Sequence, residues 1–104
     1  MDAVTRATLY LGADIQGKHT VTDTDFSLWL EDEVTPRFEG FTVRSALGYW
    51  KGKPEPMREL VILAGDGPST TVQIENIARS YKERFLQQAV MVSYETVHVL
   101  WNVP

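Results

Sequence analysis

Apolar residues fall along this chain in two alternating rhythms. Arg6 to Leu11 (RATLYL) is a short β-leaning run closed by Gly12 and Asp14, and it reads as a first strand. Ile15 to Val21, with Gly17 and Lys18, reads as a loop. Thr22-Asp23-Thr24-Asp25 is a dense helix start, its acids suited to the positive end of the macrodipole. Phe26, Leu30, Val34 and Phe38 then recur at helical spacing, Trp29 widens the stripe, and Pro36 sets the stop. Phe41 to Trp50 favours a strand, Lys51 to Pro56 a connection, and Met57 to Ala64 a third strand closed by Gly65-Asp66-Gly67-Pro68. In the second helix, Thr70 and Gln73 fit a capping box, and Ile74, Ile77, Ala78, Tyr81 and Phe85 form the apolar stripe. Ala89 to Trp101 is the last strand, long enough to predict a bend or bulge midway.

The order strand-helix-strand-strand-helix-strand predicts an α+β domain spanning residues 1–104. Two right-handed crossovers place both helices on one face of a four-stranded antiparallel sheet, the ferredoxin-like βαββαβ arrangement. The other sheet face is left open. With Tyr49, Trp50, Val61, Leu63 and Trp101 assigned to it, an exposed apolar sheet would be a liability in a monomer. A homo-oligomer is therefore expected.

Composition narrows the functional classes. A chain of 104 residues with 43% hydrophobic content can build one core. Its net charge of −4 speaks against nucleic acid as a partner, which would call for a basic face. The absence of cysteine excludes thiol catalysis and disulfides. No apolar run approaches the ~18 residues of a membrane span, and Met1-Asp2 starts no signal peptide, so a cytoplasmic protein without a membrane partner is expected. His19 and His98 lack metal-ligand spacing, and no metal is expected. The glycines of Gly65-Asp66-Gly67 belong to no phosphate-loop pattern, and no serine sits in a nucleophile turn.

What remains are two acids. Glu59 stands where Leu60-Val61-Ile62-Leu63 begins, and Glu95 lies inside SYETVHVLW, although acids are depleted in strand interiors. Strict alternation puts Glu95 with Met91, Ser93, Val97, Val99 and Trp101, and Glu59 with Met57, Val61 and Leu63. Both can therefore occupy the open face. Covered by a second subunit and unpaired, they would raise each other's pKa, and a bound cation would relieve them. Tyr49 and Trp50 could offer that cation a ring face. The ordinary alternative is that Glu95 pairs with Arg6, Arg44 or Arg58 across the sheet and Glu59 with a nearby lysine.

Two resemblances reach these residues. Glu33 to Phe38, Gly40 to Val43, Gly48 to Trp50, Arg58-Glu59 and Tyr81 to Phe85 resemble the successive motifs of a bacterial domain family of unknown function, which brings no activity with it. Arg58-Glu59-Leu60-Val61, Ile77-Ala78-Arg79, Gln87 to Val92 and Thr96-Val97-His98 are similar to motifs of the small phage enzymes that destroy S-adenosylmethionine, the S-adenosylmethionine lyases.

The second resemblance implies a PII-like oligomer, a trimer, with the substrate between subunits. It implies catalytic roles for Glu59, Glu95 and Tyr49, the last being the nearest counterpart of a hairpin tyrosine. Trp50, Arg58 and His98 become candidate substrate-binding residues. The implied reaction is intramolecular. The substrate's own carboxylate attacks its γ-carbon, expelling methylthioadenosine and leaving homoserine lactone. No cofactor is required beyond S-adenosylmethionine as substrate, and a phage-encoded protein would act in the host cytoplasm. Two other outcomes stay open: a non-catalytic PII-like oligomeric domain that binds a small ligand, and a structural domain with no ligand.

Overall fold

The structure, a computed structural model, describes residues 1–103. Four strands form the main sheet: β1 (Asp2–Gly12), β4 (Thr42–Trp50), β5 (Lys53–Ala64) and β6 (Met91–Val99). Two-residue strands β2 (Asp14–Ile15) and β3 (His19–Thr20) make a small hairpin. Helix α1 (Asp23–Trp29) follows it, and α2 (Pro68–Arg84) connects β5 to β6. The sheet order is β4-β5-β1-β6 and every neighbouring pair is antiparallel. This is the ferredoxin-like α+β fold that the element order predicts.

The core lies between one sheet face and the two helices. Leu9, Leu11, Leu60 and Ile62 point inward at 0% exposure, against Trp29, Val34, Ile74, Ile77 and Tyr81, which are equally closed off. Burying such side chains supplies roughly 1.5–3 kcal/mol each. Trp29 and Tyr81 meet edge to face with centroids 4.9 Å apart. Their polar ends are satisfied: Trp29 Nε1 donates to Ser80 Oγ at 3.0 Å, and Tyr81 Oη donates to the Gly12 carbonyl at 2.6 Å.

Helix α1 starts where expected, with the Thr22 hydroxyl accepting from the Asp25 amide at 3.1 Å. Beyond Trp29 the chain loosens into a π-turn over Leu30–Val34. The reason is legible in the stripe. A strict four-residue recurrence drifts by about 40° per step on a regular helix. One wider turn brings Val34 back over the core, where it is fully buried.

Three expectations are corrected. Residues 51–56 are not a connection. Trp50 pairs with Lys53 across a two-residue turn in which Lys51 and Gly52 have φ of 49° and 76°, the left-handed geometry of a tight hairpin. The prolines fit because of strand parity. The Pro56 carbonyl accepts from the Ala13 amide, so Pro54 and Pro56 turn their missing N–H groups away from β4, where no ladder bond is lost. Second, α2 begins at Pro68 after Gly67, without a side-chain cap. Thr70, expected to cap with Gln73, instead donates its hydroxyl to the Gly65 carbonyl. Third, β6 is shorter than predicted and unbulged, with unbroken register from Asp2↔Val99 to Tyr10↔Met91.

Candidate functional site

Alternation along the sheet sorts the site residues. Leu9 and Leu60 define the helix side, so their register partners Val43 and Val92 share it. Residues of the opposite parity form the open face: Arg6, Thr8 and Tyr10 on β1, Met57, Glu59, Val61 and Leu63 on β5, Arg44 on β4, and Met91, Ser93, Glu95 and Val97 on β6. Glu59 and Glu95 thus stand on the face that no helix covers. Leu63 is 39% exposed there and Met91 62%.

The two acids are separately placed. Glu59 lies opposite Tyr10 and Glu95 opposite Arg6. Four residues of rise and two strand spacings set their Cα atoms about 16 Å apart. Neither is unpaired. Arg6 Nε donates to Glu95 Oε1 at 2.8 Å, and Arg44 Nε lies 3.5 Å from Glu59 Oε2. The expected mutual elevation of their pKa values is accordingly overturned for Glu95. The hydrogen bond from Arg6 holds its carboxyl below the usual carboxylate range, and the Arg6 guanidinium is correspondingly raised. Glu59 is held more loosely and its side chain is 24% exposed.

The other sequence candidates lie apart from these acids. Tyr49 pairs with Pro54 and has the helix-side parity, so its assignment to the open face is corrected; it is 69% exposed near the end of the β4–β5 ribbon. Trp50 has the open-face parity, but it lies about 20 Å along β4 from Arg44, with Lys51 Nζ over its ring at 5.8 Å. Arg58 is on the helix side, where it donates to the Val21 carbonyl and Asp23 Oδ1 and stacks on Phe26 with 4.6 Å to the ring centroid. Those contacts fasten the start of α1 to the sheet. His98 lies opposite Ala3 on the helix-side parity. Among the described residues no three acids or histidines are grouped to hold a metal ion.

Two clefts escaped the sequence reading. One, of about 460 Å³, opens on the open face between Arg6, Glu39, Phe41, Thr42, Val61, Leu63 and Trp101. The other, about 580 Å³, lies at the foot of the ribbon and includes Asp14, Glu55, Leu86, Gln87 and Gln88. Gln87 braces it by donating to the Asp14 and Phe85 carbonyls. Both join residues from distant parts of the chain, so no local spacing marks them.

These features define a ferredoxin-like α+β protein whose uncovered sheet face carries two acid–arginine pairs. The family described as "Protein of unknown function (DUF3574)" matches residues 6–101, and the chain belongs to it. No curated protein matches the sequence. Among solved structures, the chain is similar to a phage SAM lyase in its apo state, with a TM-score of 0.62 and 16% identity over 97% of this chain and 94% of that one. The phage SAM lyase in complex with S-methyl-5′-thioadenosine gives a TM-score of 0.60 at 16% identity, covering 96% and 93%. CPII, a nitrogen regulatory PII-like protein from Thiomonas intermedia K12 bound to ADP, AMP and bicarbonate, gives 0.53 at 10% identity, covering 98% of each chain. At these identities the likeness is one of fold.

Proposed function

We propose that this protein is an S-adenosylmethionine lyase whose site lies on the open sheet face and is closed by a second copy of the chain. The observation that carries the reading is Glu59. It is a carboxylate on a central strand of an uncovered face, three-quarters shielded, with an arginine at 3.5 Å as its ion-pair partner. A substrate ammonium can displace so long a contact at small cost. The fold shared with the phage SAM lyase supports the same reading.

In this mechanism Glu59 holds the ammonium of the methionyl tail and Glu95 orients the tail or the ribose. The substrate carboxylate forms a bond to the γ-carbon as the γ-carbon–sulfur bond breaks. The electron pair passes to the sulfonium, which leaves as neutral methylthioadenosine, with homoserine lactone as the second product. No protein nucleophile or proton transfer is needed. Holding the folded tail in reach can lower the barrier by about 7–11 kcal/mol in well-oriented systems. Tyr49 and Trp50 serve this site from the projecting ribbon of a neighbouring protomer. A closed trimer is the assembly proposed.

Incubation with S-adenosylmethionine should yield methylthioadenosine on chromatography. Glu59→Gln should lower kcat/KM roughly 10- to 100-fold, the value of a charged hydrogen bond; full turnover by this variant would remove Glu59 from the mechanism. A second reading, a non-catalytic PII-like binding domain, is favoured by the arginine partners of both acids and by the polar cleft at the ribbon's foot. Such a protein would leave S-adenosylmethionine intact.

A further inference from the structure

We infer that the open-face cleft beside Trp101 seats the adenine ring of an adenine nucleoside. The inference rests on the lyase reading and assigns its adenosyl end. The cleft's volume of about 460 Å³ lies within the range of small-ligand sites. Its floor is apolar, made by Val61 and Leu63, and Trp101 offers a ring face on which a planar base can stack. Trp101 is held in place, its Nε1 donating to Asp2 Oδ2 at 3.1 Å.

The polar rim carries both halves of a base-reading edge. Glu39 and Thr42 can accept from an exocyclic amine. Arg6 spends its Nε–H on Glu95. Among the described residues its terminal N–H groups make no hydrogen bond, so they remain to donate to ring nitrogens. A purely apolar ligand would leave this rim unused, and a simple anion would leave the Trp101 ring unused. Leu63 and Glu59 lie on one strand face four residues apart, about 13 Å. A nucleoside seated in the cleft can therefore direct its 5′ substituent along β5 toward Glu59.

The test is calorimetric titration of the full chain with S-methyl-5′-thioadenosine, run beside the S-adenosylmethionine turnover assay. Trp101→Ala should weaken binding about tenfold or more, the loss expected of one stacking ring. Trp101→Phe should restore most of it, and Gln88→Ala, in the other cleft, should change nothing. Since Trp101 is 61% exposed, its removal leaves the core intact. Equal binding by wild type and Trp101→Ala overturns the seat, as does binding lost on Gln88→Ala alone. Absence of binding by the wild type at millimolar ligand also overturns it; turnover in that case preserves the lyase reading without this seat. Trp101-dependent binding without turnover supports the seat and removes the catalysis.

Discussion

Single residues show how neighbours retune ordinary groups. Glu95 sits on a strand in solvent, yet its carboxyl lies below the usual range because Arg6 donates to it. A depressed folded-state pKa stabilises the fold above the unfolded value and loses that effect as pH falls through the folded one. Carboxyl NMR titration should therefore show Glu95 ionising at lower pH than a free glutamate, and Arg6→Ala should return it toward the ordinary value. Tyr81 works in the opposite direction. Burial pushes its phenol up to about 12 while Arg58 opposes the shift, so its contribution is whole below the ordinary tyrosine pKa of about 10 and is lost as pH rises toward 12. Tyr81→Phe should cost about 1–3 kcal/mol by orphaning the Gly12 carbonyl, measured by urea denaturation, and should remove this alkaline sensitivity.

At the scale of elements, the β4–β5 ribbon stands out. Strand β1 follows β5 only as far as Gly12↔Met57, so Lys53–Pro56 keep β4 as their sole strand partner in the main sheet. A two-stranded ribbon is marginal by itself, and this one exposes Leu47, Tyr49 and Trp50 at 56%, 69% and 65%. Its twist is set at the turn, where Gly52 has φ of 76°. Gly52→Val should cost about 1–2 kcal/mol. Hydrogen exchange should rise in the ribbon while the core strands keep their protection. The ribbon was hidden from a reading by residue type, since two prolines in three residues argue for a loop unless one knows which side their nitrogens face. Helix α1 was more open to reading: its start at Thr22 and its apolar stripe were legible, but the four-residue spacing of Phe26, Leu30, Val34 and Phe38 reads as regular helix, and the π-turn over Leu30–Val34 was not foreseen.

At the scale of the molecule, one sheet face has helices and the other has none. The proposal of a second copy over the open face predicts that Val61→Lys or Met91→Lys shifts the sedimentation coefficient to that of a smaller species. Circular dichroism should be unchanged, because neither side chain enters the helix-side core. If both variants sediment as the wild type does, that face is not the interface.

The order of elements, the two-residue alternation and the helical stripes were enough to predict the ferredoxin-like fold and to group Glu59 with Val61 and Leu63, and Glu95 with Met91 and Ser93, because those periods depend only on neighbours in the chain. Which group lies on the open side was decided by the packing of the helices. Pairing was a matter for the tertiary structure. The alternatives for Glu95 included Arg6, Arg44 and Arg58, and only the register Arg6↔Glu95 singles out the first. Register likewise joined Glu59 to Arg44, and the tertiary fold brought Thr42, Leu63 and Trp101 to one cleft. Which strands lie side by side, and in what alignment, is settled by contacts far apart in sequence, and no local pattern contains them.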